Sequence, residues 1–266
     1  GANTTASNNT AVGYNALLSN TTGTYNVAIG ANALDANTTA NNNIAVGYNA
    51  MTANTTGASN TALGSSALTA NTTASSNVAI GDVSMYTNTT GANNTAVGTY
   101  SLYSNTTGGS GTAVGYQALY ANTTGEENVA VGRAALGANT TGSFNIGVGK
   151  GALAANTTGN NNTVVGRLAS TNNNGVDNVV IGRGAMESAT GVNNSVVIGY
   201  EAMYTHTGTG DEHNVYIGYR AGKDGTTAYS NTFVGGLSGE NVTTCNNSTF
   251  IGKSSGNTVT TGGHNI

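Results

Sequence analysis

Apolar residues recur along this chain at fixed places in a 17-residue unit, which can be written N-T-A-V-G-Y-x-A-L-x-x-N-T-T-G-x-x. Its fifth position is glycine in every copy. Complete copies begin at residues 9, 26, 43, 60, 77, 94, 111, 128, 145, 162, 178, 195, 214, 231 and 248, with partial copies at 1–8 and 265–266. Self-similarity at a fixed short period is the signature of a repeat architecture.

The type of element follows from the apolar segments of each copy. Segments such as NVAIG and NTAVG are β-branched, are of strand length and end on glycine, and no window has a convincing helical period. One unit is too short to bury its own apolar face, so neighbouring units must stack. We therefore predict an all-β fold, a parallel β-solenoid with one coil per repeat, about fifteen coils and roughly 4.8 Å between rungs.

The residue types tolerated at each position predict the faces of the coil. The fourth position is Val, Ile or Leu in every copy, from Val12 to Ile251, which predicts that it points into a dry core. The third and ninth positions vary together: Ala with Leu or Met in the first eight copies, but Tyr216 with Gly222 further on. Such compensation predicts that these two positions fill one close-packed space, either inside the coil or between chains.

The regularity of the repeat predicts two regions. Residues 1–161 form a regular shaft, and residues 162–266 continue the same solenoid with irregular, more charged and more aromatic copies. The period changes after Gly166, and Lys and Arg are absent before Arg133. We expect the region 162–266 to make the contacts with a receptor or glycan.

Composition narrows the class of protein. Charged residues make up only 7%, with no Pro, so order is a better prediction than disorder. A net charge of -4 disfavours nucleic-acid binding. The single Cys245 allows no intrachain disulfide, and no apolar run is long enough to insert into a membrane. The chain starts with Gly and not Met, as expected for a piece of a longer or processed product.

The Asn-Thr-Thr triplet has two interpretations. Stacked Asn side chains form hydrogen-bonded ladders and tolerate turns, which is the interpretation we favour. Alternatively, each triplet is an N-glycosylation acceptor. The triplets begin at Asn3 and then at Asn20, Asn37, Asn54, Asn71, Asn88, Asn105, Asn122, Asn139 and Asn156.

The sixth position carries a run of cations that is the candidate binding site. It comprises Arg133, Lys150, Arg167 and Arg183 in four successive copies. Stacked cations repel one another unless anions lie beside them. Either they pair with acids, from a neighbouring chain or from the set Glu126, Glu127, Asp177 and Glu187, or they bind an acidic glycan or another polyanion. Tyr at the sixth position of other copies suits sugar stacking, as at Tyr14, Tyr48, Tyr116, Tyr200 and Tyr219.

Other chemistry is weakly indicated. The 19-residue copy holds THTGTGDEH, in which His206, Asp211, Glu212 and His213 could collect a metal, but their spacing matches no common site and we expect a solvated loop. There is no nucleophile-base signature, and turn glycines at solenoid corners leave little room for a pocket. The sequence therefore predicts no enzyme, no cofactor and no metal.

Copies such as GTAVGYQALYANTTGEE at 111–127 and NVAIGANALDANTTANN at 26–42 resemble the repeats of phage tail fibres and related surface proteins. The N-V-A-I-G segment is also similar to the head repeats of trimeric autotransporter adhesins, although those repeats are usually shorter. The resemblance implies a left-handed β-roll that assembles as a homotrimer with an adhesive or spacer role.

The functional expectation is a non-enzymatic fibre segment located outside the cell, on the cell surface or on a virion. Its partners are other copies of itself and a host glycan or receptor. One alternative is a filament or matrix protein that stacks end to end. A third is an ice-binding solenoid, although alternation along a strand lets only one of the two Thr in each triplet join a flat array.

Overall fold

The computed structural model describes residues 5–208 and 212–266, and the chain divides into two compact units, Gly1–Arg133 and Ala134–Ile266. Every strand in the described residues has three residues, and these residues include no helix. The first unit contains β1 (Thr10–Val12), β2 (Val27–Ile29), β3 (Ile44–Val46), β4 (Thr61–Leu63), β5 (Val78–Ile80), β6 (Thr95–Val97), β7 (Thr112–Val114) and β8 (Val129–Val131). The second contains β9 (Ile146–Val148), β10 (Thr163–Val165), β11 (Val179–Ile181), β12 (Val196–Ile198), β13 (Val215–Ile217), β14 (Thr232–Val234) and β15 (Thr249–Ile251).

Within each unit the strands pair in chain order, parallel and in register. Ala28 in β2 lies opposite Ala11 in β1 and Ala45 in β3, so each repeat position stacks on the same position of the next coil. The same register holds from β3 to β8 and from β9 to β15. The predicted fold, an all-β parallel β-solenoid, is thereby confirmed for each unit.

The glycine that follows each strand is required by the close approach of two coils. Gly30 has a φ of +131°, and a Cβ placed there would lie 2.4 Å from the carbonyl oxygen of Gly47 in the next coil. Two positions further on, Asn32 at φ +57° and then Leu34 at φ +51° occupy the left-handed region. These dihedrals wind the chain tightly enough for one coil to close in so few residues.

The prediction that the fourth position points into the core is wrong. Ala28, at the third position, is fully buried, whereas the neighbouring Ile29 is 40% exposed. Successive side chains of a strand point to opposite faces, so with the central residue inward both flanking residues of each three-residue strand point outward. The second and fourth positions form an outward face, and the branched residues there are β-formers on the surface of the coil.

The core of each coil is narrow and consists of the third, eighth and ninth positions. Ala28, Ala33 and Leu34 are fully buried together. The predicted exchange of volume between the third and ninth positions is confirmed, and it takes place inside the coil. A Cβ on Gly222 would lie 2.4 Å from the ring of Tyr216, and the same relation joins Gly239 to Phe233.

Near the C-terminal end of the second unit, three aromatic rings at the third position therefore fill the space that Leu or Met at the ninth position fills in other coils. The rings of Tyr216 and Phe233 stack with centroids 4.6 Å apart, and Phe233 stacks on Phe250 at 5.0 Å. Burial raises the pKa of the Tyr216 hydroxyl far above its usual value, so this phenol stays neutral.

Changes of period are absorbed in the corners and leave the strands in register. The copy at 162–177 lacks one residue, yet Thr163 still lies opposite Val179. In regular coils the carbonyl of a triplet Thr accepts from the amides of the preceding coil, as Thr38 does from Thr21 at 2.9 Å. In the short copy, Oδ1 of Asn174 accepts from the amides of Thr157 and Thr158 at 2.8 and 2.9 Å. One side chain thus replaces the missing backbone carbonyl.

The compensated core predicts a coupled pair of substitutions. Gly222→Leu should clash with Tyr216 and destabilise by about 1–3 kcal/mol, and Tyr216→Ala should leave a cavity that costs about 3–5 kcal/mol. The double variant recreates the Ala–Leu pair of the first eight copies, and Leu34 shows that Leu tolerates this positive φ. We expect it to cost clearly less than the sum of the single changes, measured from urea unfolding midpoints.

Gly236→Ala is the control for this cycle, because a Cβ at Gly236 meets no atom within 4 Å. It should leave the midpoint nearly unchanged. Additive costs in the double variant would show that the two positions do not share one space.

Candidate functional site

The Asn of each described Asn-Thr-Thr triplet lies inside the coil, and within each unit these Asn form a ladder. Nδ2 of Asn37 donates to Oδ1 of Asn20 in the preceding coil at 2.9 Å and to the carbonyl of Ala40 at 3.2 Å. The same two contacts recur at Asn54, Asn71, Asn88, Asn105, Asn122 and Asn156. Each amide therefore joins two coils and also closes its own corner.

A second ladder runs beside the first and consists of the Asn that opens each copy. Oδ1 of Asn26 accepts from the backbone amide of Asn43 at 3.0 Å, and Nδ2 of Asn26 donates to the carbonyl of Ala40 at 2.8 Å. The carbonyl of Ala40 thus accepts from both ladders. This arrangement satisfies polar groups that would otherwise be buried without partners.

Burial of the triplet Asn bears on the glycosylation hypothesis. The candidate acceptors from Asn20 to Asn156 are at most 2% exposed, and a sugar on Nδ2 would displace a ladder hydrogen bond. These contacts favour the interpretation of the triplets as hydrogen-bonded ladders. Asn3 lies outside the described residues.

The two Thr of a triplet lie in different environments. The hydroxyl of Thr21 donates to the carbonyl of Thr38 in the next coil at 3.0 Å and is partly buried, whereas Thr22 is exposed. One column of Thr hydroxyls therefore faces solvent on this side of the coil. These hydroxyls form a single row, which is narrower than the flat two-dimensional array considered in the ice-binding alternative.

The Asn ladder of the second unit ends at Asn156, whose Oδ1 is buried without a hydrogen-bond partner. The same repeat position is taken by His206 in the copy that begins at residue 195. His206 and Glu212 are each 1% exposed, and His206 Nε2 lies 3.1 Å from Glu212 Oε2. His206 Nδ1 is buried without a hydrogen-bond partner. The prediction of a solvated loop is wrong for these two residues, because the coil folds them into its core. His213 is exposed, and Asp211 lies outside the described residues.

The cations of the predicted stripe are exposed on the coil surface. Arg133 belongs to the first unit, whereas Lys150, Arg167 and Arg183 lie in successive coils of the second. Their backbones stack: the amide of Leu168 donates to the carbonyl of Lys150, and that of Gly184 to the carbonyl of Arg167. Within the described residues none of the four cations forms an ion pair. Pairing with Asp177 or Glu187 of the same chain is therefore not seen.

The stripe continues into a pair of stacked tyrosines. The guanidinium of Arg183 lies 5.3 Å from the ring centroid of Tyr200, and Tyr200 stacks on Tyr219 at 5.4 Å. Next to them, Arg220 donates to Glu201 at 3.0 Å, and a hydrogen bond from Tyr200 lowers the pKa of the Glu201 carboxyl. Arg220 is thus neutralised by a neighbour, in contrast to the stripe.

The structure adds one surface that the sequence did not reveal as a site. We define the outward strand face as the side chains at the second and fourth positions of each copy. In the first unit it exposes large aliphatic side chains on successive coils, among them Ile29, Ile44, Leu63, Ile80, Val114 and Val131. The signal that could have found it is the Val, Ile or Leu at the fourth position of every copy, which sequence reasoning alone places in the core.

Comparison with known proteins finds no family model that matches this chain and no curated protein with a similar sequence. None of the described segments forms a helix that is long and apolar enough to cross a membrane. The described residues also contain no cluster of three His, Cys, Asp or Glu that could hold a metal ion.

The buried His206 predicts a pH-dependent stability. Burial lowers the pKa of its imidazole below the ordinary value of 6.5, outweighing the opposing effect of Glu212. The unfolded chain therefore binds the proton more readily, so the free energy of unfolding falls as the pH drops below about 6.5. We expect the urea midpoint of the wild type to fall between about pH 7.5 and about pH 5.5, and that of His206→Asn to fall less.

His213→Asn is the matched control, since His213 is exposed and its φ of +51° suits Asn. It should keep the pH dependence of the wild type. The same pH dependence in wild type and His206→Asn would rule out this imidazole as its origin.

Proposed function

We propose that this chain is a segment of a non-enzymatic, extracellular or virion fibre, in which several copies associate side by side through the outward strand face. The observation that supports this most is the exposure of that face. Contiguous apolar surface of this kind on a soluble chain marks an interaction site.

The physical basis is the same as for stacked β-sheets. Two columns of branched side chains on a pleated surface interdigitate with a similar surface, and the sheets then pack about 10 Å apart. The apolar core of one coil is little more than two Ala and a Leu, such as Ala28, Ala33 and Leu34, so a second apolar layer adds the burial that a narrow coil lacks. Closed rotational symmetry places the same face of every copy at the shared axis.

The resemblance to fibre and adhesin repeats implies an assembly of three copies. It also implies that the coil is left-handed. We carry both into the proposal. The adhesive or spacer role likewise rests on the resemblance, together with the exposed columns of polar, cationic and aromatic side chains that each unit presents.

Charge placed on the outward strand face should dissociate the assembly. We expect the wild type to sediment as a trimer and Ile29→Lys/Ile80→Lys as a smaller species with an unchanged circular dichroism spectrum, because each Lys would have to lose its hydration inside the contact. Analytical ultracentrifugation with chemical cross-linking measures the difference.

Thr39→Lys/Thr90→Lys is the matched control, since it adds the same charges to exposed positions of the same two coils. It should remain associated. A stable monomer of the wild type would refute side-by-side assembly. Concentration-dependent fibres in electron micrographs would instead support end-to-end stacking.

We further propose that the basic stripe binds an acidic glycan or a similar polyanion. The supporting observation is that Lys150, Arg167 and Arg183 occupy successive rungs, exposed and without ion pairs, while Arg220 nearby is paired. Cations held roughly 5 Å apart lower their mutual repulsion when anionic groups lie along them.

Removing two of these charges should weaken binding to a sulfated polysaccharide such as heparin. Lys150→Gln/Arg167→Gln should lose roughly 30-fold in affinity at low salt, on the basis of about 1 kcal/mol per cation, with the unfolding midpoint unchanged. The control Lys223→Gln/Lys253→Gln removes the same charge outside the run of successive cations: Lys223 pairs with Asp224, and Lys253 is a separate cation at the sixth position of the copy that begins at residue 248. Equal losses in both variants would mean that only net charge matters and that the stripe is no site.

A further inference from the structure

Five tyrosines gather on the surface of the first unit, where three successive coils bring them together. We define the tyrosine cluster as Tyr86, Tyr100, Tyr103, Tyr116 and Tyr120. They come from the tenth position of three copies, the seventh of one and the sixth of another. Only the spatial stacking of coils makes them neighbours.

The rings of the cluster adopt two orientations. Tyr86, Tyr103 and Tyr120 form a parallel stack, with centroids 5.5 and 5.2 Å apart and planes within 8°. Tyr100 is inclined by 64° to Tyr103 and by 71° to Tyr120, and Tyr116 is almost perpendicular to Tyr100. The cluster therefore offers a ladder of phenol groups with ring surface at a steep angle beside it.

The coil itself does not require these side chains. The tenth position is Thr in other copies, at Thr52, Thr69 and Thr171, and the seventh is Asn at Asn32 and Asn49. All of those copies form the same coil. Burial gives no reason for the cluster either, since Tyr116 is 46% exposed and the other four rings are partly exposed.

The phenol oxygens are available for a ligand. None of the five is bonded to another group of the described residues, and none is buried without a partner. A Tyr hydroxyl can both donate and accept a hydrogen bond. Three such groups, repeated at the rung spacing of the coil, therefore form a regular polar row along an aromatic surface.

The charge of the surroundings indicates the class of ligand. Asp82 is the only charged residue between residues 36 and 125, and the first 132 residues contain no Lys or Arg. An anionic ligand would find no counter-charge here, and a cation would find a single carboxylate. A neutral ligand with both apolar faces and hydroxyl groups fits the cluster best.

We propose that the tyrosine cluster binds a neutral glycan chain of a few sugars. The apolar C–H face of a pyranose packs on an aromatic ring, and its hydroxyls bond to phenol groups. The length of one pyranose in an extended chain is close to the rung spacing, so successive sugars meet successive phenols. The inference deepens the proposed adhesive role and rests on it for its biological meaning, but its test does not depend on assembly.

Because the chain has no Trp, its fluorescence comes from tyrosine and reports directly on such binding. The probes are neutral oligosaccharides of glucose, mannose, galactose, xylose and N-acetylglucosamine, first on an array and then in fluorescence and calorimetric titrations. We expect the wild type to bind at least one neutral class and Tyr100→Asn/Tyr103→Thr to bind it about tenfold more weakly or not at all. Both replacements occur naturally at these positions of other copies, so the coil should keep its unfolding midpoint.

Tyr14→Ser/Tyr48→Ser is the matched control, because it removes two tyrosines of the same unit that lie outside the cluster. It should bind as the wild type does. Absence of binding to every neutral class, or equal binding by the cluster variant and the control, would overturn the inference. Loss of self-association in the cluster variant without loss of glycan binding would also overturn it and assign the cluster to the interface between copies.

Sedimentation of the same samples separates this inference from the proposed assembly. A monomer that binds neutral glycans through the cluster would refute the side-by-side fibre and uphold the glycan site. A trimer that binds no neutral glycan would uphold the side-by-side fibre and refute the glycan site.

Discussion

Stacking of each repeat position on itself is the constraint on which the rest of this structure depends. Parallel, in-register pairing places Ala28 against Ala11 and Ala45, and Gly30 against Gly47, so every side chain must be compatible with a copy of itself one rung away. Asn meets this demand by donating to one neighbour and accepting from the other, as in the ladder through Asn20 and Asn37. Gly meets it by having no Cβ where the backbones approach most closely.

The same constraint turns the surface into chemical columns. A single cation or phenol has little effect on the chemistry of the surface. Repeated at rung spacing, the same side chain forms a stripe, as with the cations at Lys150 and Arg167 or the phenols at Tyr86 and Tyr103. Like charges in a column repel one another, whereas stacked rings attract, which gives the two columns different needs. The column of cations is stabilised by an anionic partner. The column of rings is stable without a partner and can bind a neutral one.

A narrow coil also limits how much of itself it can bury. With one inward side chain per strand, the core depends on small residues, on Leu or Met at a left-handed position and on satisfied Asn. Where a large ring enters, as at Tyr216, the facing residue must shrink to Gly222. The branched residues that would fill a wider core lie outside, and this connects the slender coil with the proposed association of copies.

The sequence by itself determined the repeat, the parallel solenoid, the need for Gly30 and its equivalents, and the coupling of Tyr216 with Gly222. These follow from periodicity and from volume, which are visible in one dimension. The tertiary structure decided which face of each strand is inside, because Ala28 and Ile29 are both apolar and only the path of the corners around the strand selects the inward one. It also decided that His206 is buried with Glu212, that Asn174 replaces a missing carbonyl, and that five tyrosines meet on one surface. Each depends on contacts between coils. The 17-residue period places Tyr86, Tyr103 and Tyr120 in one column, but the meeting of different repeat positions, as when Tyr100 and Tyr116 join that column, leaves no signal along the chain.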